Sequence, residues 1–232
     1  MVNGQRFFRV FRVFRGFFVL TVTIKHFTNA KEKWRKRLQL HKTGEIERRA
    51  LNMTDFMTIL KERRSVRKYE EKDVPQEILD HILEAVRWSP SWANTQCWEV
   101  VVIKDSEIKA KLQETMGSKN PATKAIVNAP VLLALCGKRK NSGYYSGAVT
   151  TKFGDWFMFD LGIATQSICL AAHHLGLGTV VVGLFDHDQA KTILNVPDEY
   201  ELVALIPLGY PAKISSAPAR REIQEFTHLN TF

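Results

Sequence analysis

Arg63-Arg64-Ser65-Val66-Arg67 gathers three guanidiniums and a hydroxyl into five residues. Arginine offers planar, bidentate donors that stay charged at any working pH, so this cluster suits a phosphate. Further along stands Ser89-Pro90-Ser91-Trp92-Ala93-Asn94-Thr95-Gln96-Cys97-Trp98. Asn94 and Gln96 can each donate and accept, as the O=C–N–H edges of a flat heteroaromatic ring require, while Pro90 and Trp92 can pack on its face. Together the two stretches suggest a phosphorylated aromatic cofactor.

The elements that must position these groups can be read from periodicity. Thr54 can cap a short helix carrying Phe56, Ile59 and Leu60 on one face, which delivers Arg63 to Arg67 at a helix-to-loop junction. Pro75 fits the first turn of the next helix, where Ile78, Leu79, Ile82, Leu83 and Val86 recur at helical spacing until Ser89-Pro90 stops it. Val100 to Ile103 and Val131 to Cys136 read as buried strands, and Ser106 to Met116 as a surface helix with a serine cap. Residues 137 to 151 form a polar stretch containing Lys138, Arg139, Lys140, Tyr144 and Tyr145. It reads equally as a lid over a pocket or as an ordinary solvated excursion. Phe153 to Leu175 is a long helix, apolar on most sides, whose Gly162, Ala164, Ala171 and Ala172 allow a neighbouring helix close. Gly176 and Gly178 end it, and Thr179 to Val182 and Leu202 to Leu208 supply two more strands around a short helix from Asp188 to Leu194. Four core strands among five or six helices leave α+β and α/β both open.

Charge divides the chain. Of 33 Lys+Arg and 24 Asp+Glu, residues 1–52 hold 13 and 3, a balance of +10, which leaves 20 and 21, a balance of −1, for residues 53–232. The pI near 9.5 therefore implies no nucleic-acid or membrane surface on the folded domain; an electrostatic partner would belong to the N-terminal segment. That segment spaces Arg6, Arg9, Arg12 and Arg15 by three among phenylalanines and has no acid before Glu32. Three readings compete: a transit peptide, a signal peptide that lacks a small-residue cleavage site, and an appendage or upstream stretch with Met53 as the functional start. An interfacial helix that touches anionic membrane or nucleic acid is a further role for it. Its apolar run from Phe17 to Ile24 is too short to span a bilayer as a helix.

Other chemistries find little support. Cys97, Cys136 and Cys169 show no C-x-x-C spacing, which argues against a zinc site or redox dithiol and for a reducing, cytoplasmic setting, with organelle targeting left open by the N-terminal segment. Gly176-Leu177-Gly178 closes a helix and leads into a strand, with Val at 181, so it is no dinucleotide fingerprint. Adjacent His173 and His174 near a helix end point in different directions and do not make a metal pair.

The order R-R-S-x-R, then an amphipathic helix, then S-P-S-x-x-N-x-Q-x-W running into an apolar strand, resembles the FMN-dependent nitroreductase family. Gly176-Leu177-Gly178-Thr179, Gly183-Leu184-Phe185-Asp186, Pro207-Leu208-Gly209-Tyr210-Pro211 and Pro218-Ala219-Arg220-Arg221 are similar to later family landmarks, in family order. The resemblance covers residues 53–232 and sets the domain apart from residues 1–52. It implies an α+β fold with a mostly antiparallel sheet, in an intertwined homodimer with shared active sites, whose long helix lies at the interface and whose C-terminal residues reach the partner. It also implies FMN as cofactor and NADH or NADPH as donor. Arg63, Ser65 and Arg67 would bind the phosphate and ribityl chain, with Arg220 or Arg221 closing from the tail and Arg64 touching the ring or only local backbone. Pro90, Ser91, Trp92 and Asn94 would meet the ring from the second subunit, Gln96 is a further cofactor-binding candidate, and Val182 and Gly183 would set a backbone amide toward flavin N5. No side chain of its own is then needed as catalyst. The reaction implied is ping-pong electron transfer to a nitroaromatic, a quinone or a similar acceptor. The alternatives are flavin fragmentation, dehalogenation, dehydrogenation or non-catalytic flavin binding. Cys97 stands where the family usually has proline, a change expected to loosen the loop.

Overall fold

In the strand Val131–Lys138 (β2), alternate side chains go to opposite faces, as a two-residue period demands, and both faces are buried. The computed structural model describes residues 56–232, and β2 lies at the centre of its larger sheet. Trp98–Ile103 (β1) and Tyr200–Gly209 (β6) flank β2 antiparallel, and Gly178–Thr179 (β5) pairs antiparallel with β6, giving the order β1-β2-β6-β5. On one face Val131, Leu133 and Leu135 of β2 join Ile206 and Leu208 of β6. They pack on Leu79, Ile82 and Val86 of the helix Gln76–Arg87 (α1) and on Leu161, Ala164 and Ile168 of the helix Phe157–His174 (α4). On the other face Leu132, Ala134 and Cys136 join Leu202 and Leu205. Those pack on Leu112 of Ser106–Glu114 (α2), Ala125 and Ile126 of Thr123–Asn128 (α3) and Ala190 of His187–Ile193 (α5). Register explains the match: Leu133 stands opposite Ile206 and Ala134 opposite Leu205, so each cross-strand pair feeds one core. With helices on both faces of an antiparallel sheet, the architecture is α+β, as expected.

Local chemistry shifts several expected boundaries. Pro75, with φ near −55°, caps α1 from just outside it. Asp105, not Ser106, caps α2, its Oδ1 accepting from the Glu107 and Ile108 N–H groups at 2.8 and 2.9 Å. Asp186 does the same for α5 through the Gln189 N–H. The long helix starts at Phe157, because Gly154 at φ +72° turns the chain before it. Nor is α4 covered all round within one chain: Ala164 and Ala172 are buried against neighbours, but Met158 and Phe159 remain 56% and 59% exposed. Strand β1 is an edge strand in which only Ile103 is fully buried and Val102 is 37% exposed, a correction to its reading as a wholly buried strand. Helix α3 has no counterpart among the expected elements. The stretch 137–151 contains a second sheet, Tyr144–Tyr145 (β3) and Ala148–Val149 (β4), joined by Ser146 and Gly147, both at positive φ as a tight hairpin turn requires. Residues 56–62 are helical as expected, while the Thr54 cap and every reading of residues 1–52 lie outside the described residues.

Candidate functional site

The arginine segment leaves the 56–62 helix, whose last turn is marked by the Arg63 N–H donating to the Ile59 carbonyl at 3.0 Å, and runs along the edge of the main sheet. Ser65 bridges Thr179 in parallel, and the Val66 N–H donates to the Thr179 carbonyl at 2.8 Å. Val66 enters the core. Tyr69 secures the segment from behind, its hydroxyl donating to the Val66 carbonyl at 2.7 Å or the Pro207 carbonyl at 3.1 Å. Burial pushes that phenol well above its ordinary range, keeping it a donor. A Cβ at Gly178 would lie 2.5 Å from Val66 Cγ2, so only glycine lets β5 approach the arginine segment this closely.

Among the described residues, Arg63, Arg64 and Arg67 form no salt bridge with a carboxylate. Arg64 turns back on its own helix end, donating to the Lys61 and Arg63 carbonyls at 2.6 and 2.7 Å, the backbone role open to it on sequence. Arg67 is exposed and lines a cavity of about 470 Å³, within the size range of small-molecule sites. A second wall is Gly117–Ala122, a turn that Asn120 ties to the floor by donating to the Leu184 carbonyl at 2.9 Å. The floor is the chain from Val180 to Leu184, including Val182 and Gly183. Val182 pairs with Leu205, and a Cβ at Gly183 would meet no atom within 4 Å. His187 fixes this floor: its Nε2 lies 3.0 Å from the Gly183 carbonyl, its Nδ1 2.8 Å from the Leu202 carbonyl, and its ring stacks on Phe185 at 4.0 Å between centroids. Sequence reading missed both His187 and the 117–122 wall, because nothing local in either segment signals a cavity.

The aromatic loop is elsewhere on the chain surface and does not line this cavity in a single copy. Residues Trp92–Asn94 form a short 3-10 turn, and Ala93, Asn94 and Gln96 all take positive φ, at 45°, 55° and 48°. For non-glycine residues such backbone costs about 1–3 kcal/mol each at the unfavourable end, so surrounding contacts must impose it. The Ser91 Oγ accepts from the Gln96 N–H at 2.9 Å, and the Trp92 N–H donates to the Asp160 carboxylate at 3.1 Å. Thr95 Oγ1 is buried without a partner among the described residues. Pro90, Asn94 and Gln96 face solvent, with Ser91 and Trp92 half-buried. Cys97 does not leave the loop slack: its thiol is 2% exposed and 3.5 Å from Asp160 Oδ2, and its carbonyl accepts from Lys138 N–H at 2.7 Å. Burial and the Asp160 carboxylate push this thiol up to about 12, which rules against a thiolate nucleophile there. Arg220 and Arg221 lie on the exposed tail, where they contact only tail groups: Arg220 the Pro218 and Ala219 carbonyls at 3.5 and 3.3 Å, and Arg221 Glu225. Thus one chain brings Arg67 together with Val182 and Gly183, and leaves Arg63, which lines a separate small hollow with Cys169 and His173, and Ser65, the ring-edge loop and the tail arginines outside that cavity.

Among the described residues no cluster of His, Cys, Asp and Glu could hold a metal ion, and no helix is long and apolar enough to cross a membrane. Residues 60–126 and 117–210 match the model of the nitroreductase family. A putative NADH dehydrogenase/NAD(P)H nitroreductase of Methanothermobacter thermautotrophicus is 29% identical over 76% of this chain and 85% of its own length. Iodotyrosine deiodinase 1 of Sus scrofa is 27% identical over 71% of this chain and 64% of its own. Among solved structures, an FMN-dependent nitroreductase of Clostridium difficile superposes with a TM-score of 0.65 at 26% identity, covering 76% of this chain and 99% of that one.

Proposed function

The chain belongs to the nitroreductase family, and from that premise we propose that it is an FMN-dependent oxidoreductase that takes electrons from NADH or NADPH and passes them to an electron-poor small molecule such as a nitroaromatic or a quinone. The observation that carries this reading is the cavity that brings Arg67, an exposed guanidinium with no carboxylate partner among the described residues, together with Val182 and Gly183. Its residues fit FMN. A permanently charged bidentate donor suits the phosphate, and the open space above Gly183 lets backbone approach a flat ring. Arg63, Ser65 and Arg67 would hold the phosphate and ribityl chain, Arg220 or Arg221 would close over them, and the Gly183 amide would face the ring. When bound, FMN supplies hydride acceptance and release at its N5. The protein's share is positioning. His187 and the Val182–Leu205 pairing hold the floor in place, and donor and acceptor would occupy the space over it in turn.

The active unit in this reading is a homodimer. Pro90, Ser91, Trp92, Asn94 and Gln96 are turned to solvent or half-buried, away from the Arg67 cavity of their own chain. The tail from residue 212 to 232 is exposed throughout and carries Ile223, Phe226, Leu229 and Phe232 outward. Exposed apolar groups on α4 and on the tail favour burial against a second copy, which would bring the loop to the partner's cavity.

Likeness to a deiodinase favours a second reading, reductive removal of a halogen from an aromatic ring, in the same cavity. Anaerobic single-turnover mixing of the reduced protein with a nitroarene, a quinone and 3-iodotyrosine separates the two. Rapid reoxidation by the nitroarene or quinone is expected; iodide release, with no oxidation by the other two, would transfer the assignment to dehalogenation.

A further inference from the structure

Asp160 is the most deeply buried acid among the described residues, 1% exposed in the first turn of α4, and none of the groups it touches is a cation. Its oxygens accept from the Trp92 N–H at 3.1 and 3.2 Å, from Ser142 Oγ at 2.6 Å and from Cys97 Sγ at 3.5 Å. These donors come from separate segments. Trp92 and Cys97 bracket the ring-edge loop, while the wholly buried Ser142 opens the stretch leading to the β3–β4 hairpin. Ser142 is further tied down by its carbonyl, which accepts from the Trp156 N–H at 3.0 Å just ahead of α4. A carboxyl placed in a helix's first turn is favoured by the N-terminal dipole, and three donors meet the hydrogen-bonding demand of its burial. The loop it holds has three non-glycine residues at positive φ within Ala93–Gln96, a shape that local preference does not select.

We propose that Asp160 is the positioning residue of the ring-edge loop: by clamping Trp92 and Cys97 to α4 and to Ser142, it presets the backbone that turns Asn94 and Gln96 outward, and it couples that shape to the hairpin stretch. This rests on the reading that the loop meets FMN. Asp160 itself touches no ligand; it acts through the Trp92 peptide and the Cys97 thiol. The hairpin stretch is therefore part of the same polar joint as the loop, not an independent solvated excursion.

The test is titration of the apoprotein with FMN, together with the visible spectrum of the bound flavin at saturation, for the unsubstituted chain, Asp160→Asn and Arg67→Ala. Asp160→Asn keeps the size of the side chain but replaces one acceptor oxygen by a donor, so the Trp92, Ser142 and Cys97 donors can no longer all be met. It is expected to weaken FMN binding about tenfold and to shift the bound-flavin spectrum, because a displaced loop changes the polar groups along the ring edge. Arg67→Ala should weaken binding while leaving the spectrum at saturation unchanged. Ser142→Ala, which removes one donor and leaves the carboxylate, should move the spectrum in the same direction by a smaller amount, and it decides the matter if Asp160→Asn does not fold. Loss of thermal stability in both variants with an unaltered FMN affinity and spectrum would overturn the positioning role. If the unsubstituted chain takes up no FMN at all, the flavin reading itself falls, a distinct outcome that removes the proposal's premise.

Discussion

Arg67 places an exposed guanidinium on the cavity wall with no carboxylate partner among the described residues, so its charge is free for an anionic guest. Arg67→Ala is expected to lower FMN affinity by about 1.5–3 kcal/mol, roughly ten- to a hundredfold in Kd, as measured by flavin fluorescence titration. Retention of FMN at unchanged affinity would remove Arg67 from the phosphate site. The cysteines give a pH expectation. Burial, ahead of neighbouring carboxylates, raises Cys97 to about 12 and Cys136 to about 11 from 9.0. Between pH 9 and 11 the unfolded chain loses thiol protons that the folded chain keeps, so this contribution to stability is intact below pH 9 and declines as pH rises toward 11–12. Denaturant melts at pH 8 and pH 10.5 should show that decline, and Cys97→Ala should make it shallower. An identical slope in the variant would contradict the assignment. Chemistry legible in the sequence at this scale was of one kind: residues with matching roles close together in the chain, such as Arg63 to Arg67 and Asn94 to Gln96. Asp160 and His187 escaped notice because their partners, Trp92 and Leu202, lie 68 and 15 residues away and meet them only in the folded chain.

Elements were legible where burial makes the pattern strong. Val131 to Cys136 reads as a strand because every residue in it is apolar, and the sheet buries both its faces. Helix α1 is equally plain, since Leu79, Ile82 and Val86 recur on one face. Short elements without such a pattern were missed: α3 is six residues long, and the β3–β4 hairpin has only two residues in each strand. Where a strong cap competed with a weaker neighbour, as Asp105 did with Ser106, the carboxylate won because it accepts from two orphan N–H groups at once. The junction between β5 and the arginine segment supports a prediction at this scale. Gly178→Ala would put a methyl 2.5 Å from Val66 Cγ2 and 2.7 Å from Val66 Cβ, and relief requires the segment carrying Ser65 and Arg67 to move. A loss of about 1–3 kcal/mol in thermal or chemical unfolding, accompanied by weaker FMN binding, is expected. Val66→Ala in the same chain should recover part of the FMN affinity, a non-additive result that marks direct contact. Full additivity would place the defect elsewhere.

For the whole molecule, the proposed activity requires two copies sharing each site, with residues 53–232 sufficient to build it. Asp55–Phe232 forms a compact unit by itself, and the family match begins at residue 60. A chain lacking residues 1–52 is therefore expected to fold and to bind flavin like the full chain; failure to fold would show that the basic segment belongs to the domain. Shared sites make a sharper prediction. Arg67→Ala and Trp92→Ala homodimers should both be impaired, while subunits mixed by unfolding and refolding should regain up to about a quarter of the sites in intact form, since one cavity of each mixed dimer carries both defects and the other neither. No recovery on mixing would mean that each chain builds its site alone. The scale at which sequence was least informative is this one: periodicity shows that α4 is apolar, but not that Met158 and Phe159 stay uncovered until something else packs on them. The most direct test of the central claim is the visible absorption spectrum of the purified protein, recorded anaerobically before and after NADH and then NADPH, with the released chromophore identified by chromatography. The expected result is a flavin band that is FMN and bleaches with at least one nicotinamide. A protein that stays colourless when supplied with FMN, or whose bound FMN neither nicotinamide reduces, would contradict it.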